Sequence, residues 1–193
     1  MSLLLNELRD FAQHDEVIEV YRERLVPDAL VGRVLRVSEH VVLLERLDEQ
    51  YEYDGLTALR PGDVTRVRSG NRELRAGSRL CSEKRTRLGF SEVGLLEISA
   101  SMTVLAKAYS CVTLHMERLA PEMCFPGEPL EVDDDFVVFQ QWGTLRTLDK
   151  TRLVLLLEEV TRVDADGKYQ RMLMRAHDLE AGHVASEVRT RTN

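Results

Sequence analysis

Cysteine is scarce in this 193-residue chain: Cys81, Cys111 and Cys124 occur, none of them in a Cys-x-x-Cys pair. Such a set gives no disulfide framework, so buried structural thiols in a reducing compartment are expected. Long apolar runs are also missing, and nothing approaches the roughly 20 residues of a membrane helix. The opening Met-Ser-Leu-Leu-Leu-Asn-Glu-Leu-Arg-Asp has no basic leader, which speaks against a signal peptide. Lysine is limited to Lys84, Lys107, Lys150 and Lys168, and tryptophan to Trp142. Positive charge is in deficit, at −7 overall, which argues against uniform attraction to nucleic acid or anionic lipid. What remains, 44% hydrophobic and 31% charged, is ordinary globular composition. A soluble, cytoplasmic protein is the expectation.

The charge is unevenly placed. Between Arg60 and Arg87, nine basic residues face three acids (+6), whereas Cys111 to Arg171 holds twelve acids and seven bases (−5). An internal repeat accompanies this asymmetry. Glu23-Arg24-Leu25-Val26-Pro27 returns as Glu117-Arg118-Leu119-Ala120-Pro121, and Val64-Thr65-Arg66-Val67 returns unchanged as Val160-Thr161-Arg162-Val163. Between them, Val37 to Leu43 lies over Val132 to Val138, so the spacing drifts only between 94 and 96. Three matches in one order imply a duplicated unit.

Each unit reads as β. Val17 to Leu25, Ala29 to Val37, Val41 to Leu44, Gly55 to Leu59 and Val64 to Arg68 are short strands separated by turn residues. Gly32 inside the second marks a bulge or sharp bend. The second unit gives Cys111 to Leu119, Leu130 to Val132, Phe136 to Gln141, Thr151 to Leu157 and Val160 to Asp164. There Pro126-Gly127-Glu128-Pro129 is expected to break the second strand. Ser2 to Gln13 and Glu92 to Ser110 have helical apolar spacing. Arg75 to Leu88 reads as a linker, and the chain from His177 as a short helix running into a polar tail. The division is a barrel with its helix at 1–75, linker and helix at 76–109, a divergent barrel at 110–175 and a tail at 176–193. Two tandem five-stranded small barrels of the SH3-like plan, with separate cores, are the expected fold.

The stretch Val31-Gly32-Arg33-Val34-Leu35-Arg36-Val37-Ser38-Glu39-His40-Val41-Val42-Leu43 resembles the first motif of the Sm-like family. Leu59 to Gly70, closing on Arg68-Ser69-Gly70, resembles its second. The resemblance covers about residues 1–75 and, more weakly, 110–172. Members that hold uridines share an Asp and an Asn on the first-motif loop and an Arg-Gly on the second. Here those positions are Ser38 and Val42 in the first unit, and Asp133, Val137 and Asp164-Ala165 in the second. Valine cannot bond a base edge, so the family's uridine pocket is not carried over. The resemblance also implies association through strand edges, with Val64, Arg66 and Arg68 in the first unit and Val160 and Arg162 in the second as edge residues.

Other candidate chemistry is thin. Asp133-Asp134-Asp135 with Glu131 could hold a hard cation but reads better as a solvated hairpin. Asp164-Ala165-Asp166-Gly167 reads as a turn rather than a calcium loop. His177, Glu180 and His183 step along one possible helix face without a full zinc ligand set. Trp142 could stack a base or anchor a partner, but capping its own barrel suits it better. No phosphate loop, nucleophile elbow or paired catalytic carboxylate appears, so neither catalysis nor a cofactor nor a metal is expected. The expected role is a non-catalytic assembly module that self-associates or pairs barrel to barrel, away from membranes. The alternative is non-sequence-specific RNA binding by Arg66, Arg68, Arg72, Arg75, Arg79, Lys84, Arg85 and Arg87.

Overall fold

In the computed structural model, residues 2–81 and 97–191 are described, with side chains through 180. The chain begins with helix α1 (Leu3–His14), whose Leu5 and Leu8 point inward; Asp15 in the left-handed region ends it, donating its N–H to the Phe11 carbonyl. Strands β1 (Val17–Arg22), β2 (Val26–Val37), β3 (Val42–Leu47), β4 (Tyr53–Leu59) and β5 (Arg66–Arg68) follow, with a 3-10 turn at Pro61–Asp63 before the last. Two helices, α2 (Arg72–Cys81) and α3 (Ile98–Tyr109), lead to β6 (Val112–His115), β7 (Cys124–Val132), β8 (Phe136–Trp142), β9 (Lys150–Leu156) and β10 (Arg162–Ala165). A second 3-10 turn, Leu157–Glu159, precedes β10, and helix α4 (Lys168–Arg191) follows it.

The ten strands form one open antiparallel sheet, ordered β5-β1-β2-β3-β4-β10-β6-β7-β8-β9. The expected mainly β fold is present, but the two barrels with separate cores are not: the halves share one sheet that does not close. They also share one core. Leu43, Leu56 and Ala58 of the first half pack with Leu114, Phe139 and Val163 of the second, under Ile98, Met102 and Leu105 of α3. A smaller cluster, with Leu8, Ile18, Val34 and Leu44, lies under α1 in the first half alone. Burial of each such aliphatic side chain contributes about 1.5–3 kcal/mol, which is why α3, apolar at 98, 102 and 105, settles over the junction rather than beside it.

Register repeats between the halves. Gly32 pairs with Arg46 across β2–β3, and Gly127 with Gln141 across β7–β8. A Cβ at Gly32 would sit 2.2 Å from the Glu45 carbonyl oxygen, and one at Gly127 2.0 Å from that of Gln140. Both glycines therefore serve close backbone approach between bent neighbouring strands.

Several boundaries differ from the sequence reading. The stretch from Arg75 is not a linker at its start: Asn71 Oδ1 accepts the Leu74 N–H at 2.7 Å and opens α2. Leu74, Gly77 and Cys81 then face inward at helical spacing, and Cys81 clusters with Leu74 and Tyr51. Residues 82–96, which include the rest of that stretch and the start of the expected second helix, lie outside the described residues. Nor is the second unit's second strand broken. It runs nine residues, because Pro129 adjoins a register shift where the ladder is already interrupted. Finally, the C-terminal helix starts at Lys168, earlier than His177, and occupies much of the expected tail.

Candidate functional site

The repeated residues build the same small clasp twice. In the first half Thr65 Oγ1 donates to Glu23 Oε2 at 2.7 Å, the Glu23 N–H donates to that hydroxyl at 3.1 Å, and the Thr65 N–H donates to the Tyr21 carbonyl at 2.9 Å. In the second, Thr161 Oγ1 donates to Glu117 Oε2 at 2.7 Å, the Glu117 N–H to Thr161 Oγ1 at 3.4 Å, and the Thr161 N–H to the His115 carbonyl at 2.9 Å. Arg66 and Arg162 complete the clasps by pairing with Glu23 and Glu117.

Their surroundings differ. Glu23 lies at the surface, whereas Glu117 is buried where β4 meets β10 and takes a bidentate ion pair from Arg22 of the first half. Beside it, Asp164 on β10 accepts from Thr57 of β4 (2.7 Å) and from Arg46 of β3 (3.0 Å). His115 Nε2 lies 3.0 Å from the same carboxylate, and Arg162 Nε lies 3.3 Å away. Arg46 bridges onward to Asp54 at 2.6 Å. Three carboxylates, Asp54, Glu117 and Asp164, thus meet three guanidiniums, Arg22, Arg46 and Arg162. Burial strongly opposes ionisation of Asp164, yet Arg162, His115 and Arg46 together hold its carboxyl well below the usual range. Glu117 is likewise lowered, burial being outweighed by Arg22, Arg162 and Thr161. Around this centre, Arg60 donates to the carbonyls of Val160 (3.0 Å) and Leu157 (2.9 Å), and Arg118 pairs with Asp63 at 2.7 Å. The joint between the halves is therefore a backbone ladder sealed by a network of paired ions, in which Arg22 Nε and Arg162 Nε are buried without a hydrogen-bond partner.

The expected edge residues are separated by the fold. Arg66 and Arg68 lie on β5, which pairs only with β1 among the described strands. Val64 precedes that strand and closes the 3-10 turn. Val160 is buried in the shared core, and Arg162 sits on β10, which lies between β4 and β6 and is not an edge. The second edge is instead β9, paired only with β8 among the described strands, where Val154 is 65% exposed and Leu156 is also exposed, with Phe136 nearby on β8. Sequence reasoning missed Arg22, Arg46, His115, Glu117 and Asp164 as joint residues. Only Asp164, wedged between Val163 and Ala165, carries a local hint of burial.

The arginine set also divides. Arg66 is held by Glu23, whose carboxyl the Thr65 hydroxyl and then Arg66 lower, and Arg68 by Glu19, whose carboxyl it lowers. Arg72, Arg75 and Arg79 are exposed on α2, while Lys84, Arg85 and Arg87 lie outside the described residues. Where the β2–β3 and β7–β8 turns converge, a cleft of about 330 Å³ is lined by Glu97, Asp134, Asp135 and Glu158 beside Arg60 and His40. That end is acidic and disfavours a phosphate backbone.

The remaining candidates have structural roles. Asp133 Oδ1 accepts the N–H groups of Asp135 (2.8 Å) and Phe136 (2.6 Å), as Ser38 Oγ accepts those of His40 (3.1 Å) and Val41 (2.8 Å). The family-like Asp position is thus a turn cap in both halves. Trp142 is buried with Cys111 and Leu173 under α4, its ring edge-on to His177 at 5.3 Å; the side chain of His183 lies outside the description. Cys81 and Cys111 are buried as expected, but Cys124 is exposed. Burial pushes the Cys111 thiol up to about 11; the Cys124 thiol, on a residue exposed as a whole, is raised by desolvation at its sulfur and by the nearby Asp164 and Glu117 carboxylates, so neither is an activated thiolate.

Compared with models of known protein families, with curated proteins and with solved structures, the chain matches none. Among the described residues no helix is long and apolar enough to cross a membrane.

Proposed function

We propose that this chain is a non-catalytic interaction and assembly protein built from two tandem Sm-like units. The observation that carries the reading is the joint itself. One half's terminal strand, β10, already completes the other half's β4 through a four-residue ladder, while β5 and β9 remain as edges. Unpaired edge N–H and C=O groups are a template for a further strand. The duplicated clasps and the matching glycine registers support the tandem reading, and the raised thiols of Cys111 and Cys124 support the absence of nucleophilic chemistry. The working surface is then the pair of edges, and the buried ions fix how the two units present them.

The second reading, RNA binding, rests on the exposed arginines of α2. Protein purified at low salt and assayed for co-purified nucleic acid separates the two. Assembly gives protein free of nucleic acid. Bound RNA, with log affinity falling against log salt at roughly −0.7 per phosphate contact, favours the second reading.

A further inference from the structure

Building on the assembly reading, we propose that the outer face of β8 and β9 docks an amphipathic helix of another protein, one with an apolar stripe and a rim of lysine or arginine. Across this strand pair Phe136 faces Leu156 and Val138 faces Val154, so the four side chains stand on one side of the sheet. Val137 and Phe139 point the other way, into the shared core. Phe136, Val154 and Leu156 are exposed, as is Leu130 at the bulge of β7, and a contiguous apolar patch of this kind marks an interaction site. The first half holds the template for its occupant. At shifts of 95 and 96 the counterparts of Leu130, Phe136, Val138 and Val154 are Leu35, Val41, Leu43 and Ala58. There the face is covered, packed with Ile98, Met102 and Leu105 of α3. Those three residues follow the i, i+4, i+7 spacing with which a helix lies on an apolar surface.

A second copy of this chain does not supply that cover. Its helix equivalent to α3 is α1, each ending in a left-handed cap at a shift of 95, Asp15 and Ser110. Where α3 carries Ile98, Met102 and Leu105, α1 carries Leu3, Glu7 and Asp10. Glu7 and Asp10 are exposed, and on the open face they would meet its own carboxylates, Asp134 and Asp135 beside Phe136 and Glu158 beyond Leu156. The receiving side has changed as well. Arg60, which donates to the Val160 and Leu157 carbonyls of the arriving half, has Leu156 as its counterpart, and leucine offers no donor. Around the covered face stand Arg36 and His40, where the open face has Glu131 and Asp135. The apolar surface is thus kept while its border has turned acidic, which favours a cationic helix over the chain's own. The cleft of about 330 Å³ at that end has Leu156 in its wall and four carboxylates, Glu97, Asp134, Asp135 and Glu158, against one arginine already bonded to carbonyls. A lysine or arginine of the docked helix lays its stem on the leucine there and its charge among the acids.

Fluorescence anisotropy with two labelled helical peptides of about 18 residues tests this. Both carry the same leucine stripe, one with a lysine rim and the other with a glutamate rim. The unmodified chain is expected to bind the lysine peptide at least about tenfold more tightly than the glutamate peptide. Val154→Asn combined with Leu156→Asn, both at exposed positions, should weaken the lysine peptide at least about tenfold. Asp134→Lys combined with Asp135→Lys should invert the preference, an inversion that a folding defect cannot produce. No binding of the lysine peptide, equal binding of the two peptides, a preference that the lysine substitutions leave unchanged, or binding indifferent to the asparagine substitutions overturns the proposal. Light scattering on the same samples then reads how far the failure extends. A chain that binds neither peptide but exceeds its 22.1 kDa monomer mass, and returns to it with the asparagine substitutions, gives the face to a second copy and keeps the assembly reading. A chain that binds neither, stays at 22.1 kDa and shows slow hydrogen exchange at the outer amides of β5 and β9 removes the assembly reading as well.

Discussion

The clasps on Glu23 and Glu117 share residue types and hydrogen bonds, and they differ in burial. At the surface, Glu23 with Thr65 and Arg66 is a solvated ion pair, of a kind that contributes little to stability. At the joint, the same arrangement gains Arg22 and loses water, so each partner becomes indispensable to the others. One inherited motif thus serves as surface decoration in one half and as the fastening of two halves in the other. Its energetic weight comes from position, not from the residues.

The sharpest way to test that contrast is to cut both clasps. Arg22→Ala leaves the Glu117 carboxylate buried and short of its main partner, and should destabilise the chain by about 3–5 kcal/mol in urea unfolding. Glu23→Ala should change the unfolding midpoint little. Equal losses would erase the distinction between the two sites.

Acid should cost the joint more than the surface. Asp164 and Glu117 have folded pKa values lowered from their ordinary range, so the stability they contribute is complete above the unfolded carboxylate pKa and falls as pH drops through the folded values. Each unit of depression corresponds to about 1.4 kcal/mol. Unfolding free energy measured from neutral pH downward should decline below about pH 4, and Asp164→Asn should flatten part of that decline. An unchanged slope in the variant would show that the network does not hold the charged form of Asp164.

A smaller effect checks whether the halves are equivalent where both are structural. Gly32→Ala and Gly127→Ala each drive a methyl into a neighbouring carbonyl and should destabilise by about 1–3 kcal/mol, similarly in both. A large inequality in calorimetric midpoints would break the correspondence. Smallest of all, Ser38→Ala removes a turn cap and should lower stability by about 1 kcal/mol, with Asp133→Ala shifting the midpoint in the same direction.

The tertiary arrangement was only partly legible beforehand. The repeats, the polar turns at Ser38 and Asp133, and the apolar runs that become β3 and β8 are all local signals, readable within a few residues. Asn71 is local too, yet α2 was masked by its arginines, because only Leu74, Gly77 and Cys81 mark its inner face. Pro126 and Pro129 overstated a break, since proline weakens a strand only where its missing N–H matters.

Which segments become strands, where the turns between them fall and which sequence segments recur are what the sequence by itself determined, because alternation, turn chemistry and repeat spacing are properties of neighbours along the chain. That β10 would complete β4, that Arg22 would meet Glu117 across 95 positions, and that β9 rather than β10 would be the edge were decided only by the tertiary structure. Backbone ladders accept nearly any side chain, so the choice among candidate edges is made by which one also buries a common core under α3 and pairs Glu117 and Asp164 with arginines.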